Sequence, residues 1–276
     1  MELQVSILDP TGNITALVES EVEIARQPSV AAEIMRRHPE VEQVGFLRPA
    51  SGDGVAAELR MAGGEFCGNA SMCAAALCRL NGIQGDEAIR LRVSGTKQPV
   101  SVRLRREASD RFLAELTMPP ALGIEERVFR LEGISGVLPL VRLEGISHVI
   151  VEPASPFFSL LENRVAAERA VRSFCKELRA EGLGLLFLDG SGAERRMTPQ
   201  VYIPGSGTVF WENSCASGSA AVGIYRAKKS GAPVDLCLRQ PGGILRVSAD
   251  PASAETRLIG SVKLVSSFSE KFSESC

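Results

Sequence analysis

Apolar and polar residues alternate along residues 5–18, the two-residue period of half-buried strands, with a break at Asp9-Pro10-Thr11-Gly12-Asn13 that reads as a turn. After Pro28-Ser29 the period lengthens. Val30, Ile34 and the neighbouring alanines recur at helical spacing to about Arg37. Strand-like runs follow at 44–47 and 55–61, separated by the turn Pro49-Ala-Ser-Gly-Asp-Gly. An Ala-rich helical run occupies Ala70 to Leu80. Strands are then expected at 89–93, 100–104 and 112–116, with a hairpin around Gly95 to Pro99.

Pro119-Pro120 punctuates the chain, because proline stops helices and removes a ladder donor. The second half repeats the order of the first. A strand at 148–151 precedes an amphipathic helix over about 164–180. Strands come next at 183–188, around 201–203 and at 209–211, then a second small-residue helix from Ser217 to Lys228. Strands at 234–238 and 244–247 flank the turn Gln240-Pro-Gly-Gly. The sequence "strand, cysteine, helix, strand, turn, strand" therefore occurs twice, with Lys97-Gln98-Pro99 in one copy and Arg239-Gln240-Pro241 in the other. This layout predicts an α/β (α+β) chain of two similar domains, 1–118 and 119–257, each a mixed β barrel around a central helix. The C-terminal strand, 258–276, is expected to return to the first domain.

Composition narrows the function. In 276 residues, 45% are hydrophobic and 23% charged, the balance of a globular protein with a proper core. A net charge of -2 with dispersed basic residues gives no footprint for nucleic acid. No apolar run is long enough for a membrane span, and the N-terminus lacks the pattern of a signal peptide, so a cytoplasmic protein is expected. Seven cysteines, an odd number without a CxxC pair, read as free thiols.

Two cysteines stand apart. Cys67 lies in Gly-Gly-Glu-Phe-Cys-Gly-Asn-Ala-Ser-Met and Cys215 in Trp-Glu-Asn-Ser-Cys-Ala-Ser-Gly-Ser-Ala, each beside small residues and directly before a helical run. At a helix start a thiol meets outward-pointing N–H groups and the positive end of the helix dipole, which favour the thiolate. The same N–H groups accept an anion such as a carboxylate. Pattern alone leaves both a reactive thiol and an inert buried one open. Cys73, Cys78, Cys175 and Cys237 sit within apolar patterns and read as core. Cys67, Cys73 and Cys78 are close in sequence, but spacings of six and five do not match zinc pairs, and no metal site is expected. The sequence has no GxSxG elbow, P-loop or GxGxxG opening a βαβ unit.

Glu-Phe-Cys-Gly-Asn-Ala (65–70) and Ser-Cys-Ala-Ser-Gly (214–218) resemble the two active-site cysteine motifs of the diaminopimelate epimerase superfamily. Pro-Thr-Gly-Asn near the start, Ser-His-Val-Ile-Val at 147–151 and Gln-Pro-Gly-Gly at 240–243 extend the resemblance over most of the chain. Within it the chain is most similar to the histidine racemases of staphylopine-type metallophore biosynthesis, through Glu42-Gln-Val-Gly-Phe46, Tyr202-Ile-Pro204 and Trp211-Glu-Asn-Ser-Cys215. Three positions depart from the superfamily pattern. Tyr202-Ile-Pro204 stands where diaminopimelate epimerases carry a Glu-Arg pair, Ile146-Ser147 replaces Asn-Pro, and Ala216 replaces a glycine.

The resemblance implies two pseudo-symmetric barrels, a cleft between them as active site, and a cofactor-independent racemase. One thiolate takes a proton from the substrate Cα while the other thiol delivers one to the opposite face. It assigns catalysis to Cys67 and Cys215. Substrate binding falls to Asn13, Glu42, Gly68, Asn69, His148, Ala216 and Ser217, with a small amino acid, histidine, as ligand. Asn13 reads equally as a turn residue, Glu42 as an exposed carboxylate and His148 as a core histidine. Neither a membrane nor a nucleic-acid partner is expected, and a homodimer is possible on these grounds. Another amino-acid racemase on the same scaffold, of diaminopimelate or proline type, and a non-catalytic thiol or metal-binding protein remain alternatives.

Overall fold

In a computed structural model the described residues are 1–50, 52, 54–83, 88–205 and 207–272. Parts of the turn at 49–54, the last four residues of the expected C-terminal strand, and with them Cys276, lie outside the described residues. The chain divides into two compact units, Met1–Met118 with the C-terminal segment from Leu258, and Pro119–Arg257.

In the first unit the order is β1 (Glu2–Pro10), β2 (Thr15–Val18), α1 (Gln27–Arg37), β3 (Gln43–Pro49), β4 (Ala57–Met61), α2 (Gly68–Leu80), β5 (Ala88–Val93), β6 (Val100–Arg106) and β7 (Arg111–Thr117). The second unit holds β8 (Gly123–Leu131), β9 (Ile134–Arg142), β10 (Ser147–Val151), α3 (Arg164–Leu178), β11 (Leu183–Asp189), β12 (Glu194–Ile203), β13 (Thr208–Trp211), α4 (Ala216–Ser230), β14 (Val234–Gln240) and β15 (Gly243–Ala249). The last strand, β16 (Thr256–Lys271), pairs antiparallel with β1. It thereby closes the ring β1-β2-β3-β4-β5-β6-β7-β16 into an eight-strand barrel, which leaves no open edge.

Pairing senses repeat between the units. β1–β2, β3–β4 and β5–β6 are antiparallel, while β2–β3 and β4–β5 are parallel. Their counterparts β9–β10, β11–β12 and β14–β15 are antiparallel, and β10–β11 and β12–β14 parallel. Each parallel pair needs a crossover, and each crossover is a helix. The first crossover helix of each unit, α1 or α3, is amphipathic and covers one face of the sheet. Phe174 of α3, for example, meets Phe129 at 4.6 Å and Phe157 at 5.5 Å between ring centroids. Such aromatic pairs contribute about 0.5–1.5 kcal/mol each beyond area burial.

The second crossover helix is different. Every residue of α2 from Gly68 to Cys78 is buried, and α2 touches β1, β2, β4, β5, β6 and β7, so it runs inside the barrel. A helix fits there only if its side chains are small, because an eight-strand barrel is just wide enough for side chains. That explains the alanine runs. In α4 the same demand is met by glycines: a Cβ on Gly218 would lie 2.7 Å from Leu186, and one on Gly223 2.6 Å from Val247.

The sequence reading gives no strand over 123–142 and too short a one at 201–203. β8 and β9 form a hairpin closed by Glu132 and Gly133, both with positive φ, and β8 buries fully only Phe129. Glu125-Glu126-Arg127 interrupts the alternation that would reveal it. α3 ends at Leu178, two residues before the expected limit, because Arg179 adopts a left-handed φ of 51°.

Candidate active site

The loop 62–67 carries the chain from β4 to α2 and is pinned from β5. Ser94 Oγ donates to Glu65 O at 2.8 Å and accepts from Met61 N–H at 3.0 Å. The next residue, Gly95, has φ +74°, and a Cβ there would sit 2.2 Å from Phe66 N. Only glycine lets the turn press against the cysteine loop. Cys67 thereby takes extended geometry and caps α2, its Sγ accepting the Ala70 N–H at 3.4 Å. Ser71 Oγ donates to Cys67 O at 2.7 Å. The Cys67 S–H donates to Gln43 Oε1 at 2.9 Å, and Gln43 Nε2 donates to Thr15 Oγ1 at 2.7 Å. Beside this chain Asn13 Nδ2 donates to Glu42 Oε2 at 3.3 Å. Three expected site residues, Asn13, Glu42 and Cys67, thus gather at the same ends of β2, β3 and α2.

The second unit repeats the cap. Cys215 is extended, its Sγ accepts the Gly218 N–H at 3.3 Å, and Ser219 Oγ donates to Cys215 O at 2.7 Å. The partners then differ. Ser217 Oγ lies 3.6 Å from Cys215 Sγ and 3.0 Å from His148 Nε2. His148 is completely buried, which drives its pKa down to about 3 and keeps the ring neutral. No hydrogen-bond partner for Nδ1 is found among the described residues. An unsatisfied acceptor costs less than an unsatisfied donor here, so the network assigns the proton to Nε2. Nε2–H then donates to Ser217 Oγ, leaving the Ser217 hydroxyl free to donate to the Cys215 sulfur. Burial raises the Cys215 thiol well above its ordinary value, and the Glu212 carboxylate adds to it; Ser217 and the Gly218 N–H oppose them. At neutral pH Cys215 is a thiol.

Both cysteines singled out in the sequence are helix N-caps, and the first-turn N–H groups of Gly68 and Asn69, and of Ala216 and Ser217, point outward from those N-termini. His148 sits one side chain behind Cys215, with Ser217 between them. Gln43, Thr15 and Gln240 were missed. Gln240 Oε1 accepts the Cys215 N–H at 2.8 Å and its Nε2 donates to Ser219 Oγ at 3.0 Å, fixing the cap. Gln43 and Gln240 lie inside the motifs Glu-Gln-Val-Gly-Phe and Gln-Pro-Gly-Gly, which marked the positions without showing what they touch. Among the described residues no three His, Cys, Asp or Glu side chains group as metal ligands, and no helix is long and apolar enough to cross a membrane.

Solved structures share this architecture. A hydroxyproline epimerase from Agrobacterium vitis, with bound trans-4-hydroxy-L-proline, superposes with a TM-score of 0.69 at 14% identity, over 97% of this chain and 92% of that one. A predicted epimerase from Pseudomonas aeruginosa gives 0.67 at 18% identity, over 98% and 100%. The fold is that of the proline racemase and epimerase class. The model described as "Histidine racemase CntK N-terminal domain" matches residues 2–268, and the chain belongs to this histidine racemase family. A histidine racemase of Fusobacterium nucleatum is 32% identical over 83% of this chain and 84% of its own length. One from Staphylococcus aureus is 28% identical, over 90% and 88%.

Proposed function

We propose that the protein is a cofactor-independent histidine racemase in which Cys67 and Cys215 exchange protons with opposite faces of the substrate Cα. The observation that carries this reading is the duplicated cap: two cysteines in one geometry, each with its sulfur against the third N–H of a buried helix. Family membership supports histidine as the amino acid. One thiol must be ionised to take the Cα proton while the other keeps its own. Burial and Glu212 favour Cys215 as the proton donor in the resting enzyme. Without an electron sink, the carbanion has to be stabilised by fixed dipoles, and the outward N–H groups of the two helix starts supply them for the substrate carboxylate. Exclusion of water around the substrate would strengthen those bonds.

Histidine choice is assigned to Glu42, half-buried and bonded to Asn13. A carboxylate there accepts an imidazole N–H, a charge-assisted bond of about 1.5–3 kcal/mol. Racemisation of a panel of L-amino acids by wild type and Glu42→Ala tests this. Histidine is expected to be preferred, and the variant to lose roughly ten- to a hundredfold in kcat/KM for it. Preference for an aliphatic or acidic amino acid, or an unchanged Glu42→Ala, would refute the assignment. The family's place in metallophore biosynthesis, cytoplasmic location and a homodimeric state belong to the same proposal. So does the assignment of 1–118 with the C-terminal strand and of 119–257 as two barrel domains.

A further inference from the structure

The two cysteine caps match, but what faces each sulfur does not. In the second unit the sulfur meets the Ser217 hydroxyl, backed by a neutral imidazole, and the carboxylate of Glu212. In the first unit it meets an amide whose orientation is fixed. Thr15 Oγ1 commits its proton to Asn13 O at 3.0 Å, so towards Gln43 it can only accept. Gln43 Nε2 fills that acceptor at 2.7 Å, which turns Oε1 to Cys67 Sγ at 2.9 Å. Thr15 and Gln43 are register partners of the parallel β2–β3 pair, and Thr15 is fully buried, so the amide cannot easily flip. The corresponding register pair of the second unit is Ser147 and Leu183, and Leu183 has no amide to offer.

We infer that Gln43 is a positioning residue that raises the proton affinity of Cys67 and so makes its ionised form a stronger base. The negative end of its dipole accepts S–H but repels S⁻. Loss of the proton therefore exchanges a hydrogen bond for an unfavourable contact. The ionised sulfur that results is a stronger base, which suits removal of a weakly acidic Cα proton. Opposing groups are the Ala70 N–H and the α2 dipole. Of the titratable groups around this network, Cys73 bonds Thr15 and senses both Cys67 and Asp9 of β1, Glu65 lies in the preceding loop, and Glu42 is next to Gln43.

The inference rests on Cys67 being a proton-transfer thiol, yet it is tested without turnover. Iodoacetamide alkylation of the full-length protein, followed at Cys67 by peptide mapping across pH, reports where that thiol ionises. Gln43→Met, of similar length with no acceptor, should move the midpoint down by roughly 0.5–1 pH unit. Gln43→Glu, which brings a stronger acceptor and a charge, should move it up. Shifts in these opposite directions support the inference, and should the Met variant not fold, the upward shift in Gln43→Glu decides it. Midpoints unchanged, or moved the same way in both, overturn it. Racemisation retained by Cys67→Ala would instead remove the role of Cys67, whatever the midpoints show.

Discussion

Replacing Cys67 or Cys215 with alanine is expected to remove histidine racemisation in both directions, lowering kcat/KM by about a thousandfold or more, since a positioned acid or base is worth about 10²–10⁴. Each direction needs one thiolate and one thiol, so neither single variant should spare one direction. The structure adds a control. Each sulfur also caps a helix, taking the N–H of Ala70 or Gly218. Alanine therefore costs stability as well, about 0.5–2 kcal/mol for loss of a cap. Serine restores an oxygen acceptor at the cap but is too weak an acid for proton exchange. Cys67→Ser and Cys215→Ser should accordingly be inactive with melting temperatures nearer wild type than the alanine variants. Cys175, whose S–H donates to Ala180 O at the end of α3, serves as the outside comparison, and Cys175→Ser should keep its turnover. Near wild-type rates in either Cys67→Ser or Cys215→Ser would end the two-thiol account.

Acidification should destabilise the second unit through His148. The folded ring has its pKa depressed to about 3 by burial, against 6.5 when exposed. Above pH 6.5 both folded and unfolded chains hold it neutral, and the full stability is present. Below that the unfolded chain binds a proton and the folded one does not, so stability falls with pH until the folded pKa is reached. From pH 7 to 5, above the carboxylate range, the loss is about 2 kcal/mol. Urea unfolding midpoints across that window check this, with His148→Gln as comparison. The variant starts less stable but should show a flatter slope. Equal slopes would mean that His148 is not held neutral. Because Nε2 already carries a proton and donates to Ser217, the added proton goes to the buried Nδ1 and leaves the Ser217 bond in place.

Both cysteines are legible in the sequence because a helix start leaves a local mark: small residues, a change of period and an alanine run. Gln43 is not, since its importance comes from a register pair with Thr15 across two strands 28 residues apart. His148 reads ambiguously for a related reason. β10 is buried along its whole length, flanked by β9 and β11, and continuous burial erases the alternation that tells one face from the other. The hairpin β8–β9 escapes notice because its exposed face carries the charges and only Phe129 is fully buried on β8. The repeat of pairing senses was visible only as a repeat of element order. What specifies it, parallel pairs joined across helices, is non-local.

The central claim is proton exchange at Cα by two separate groups, and the most direct measurement is racemisation of L-histidine in D2O, with deuterium at Cα followed in each enantiomer at early times. Two thiols on opposite faces predict D-histidine carrying solvent deuterium while the remaining L-histidine stays largely protonated. Formation of no D-histidine, or equal early labelling of both enantiomers as a single shared base would give, would contradict it.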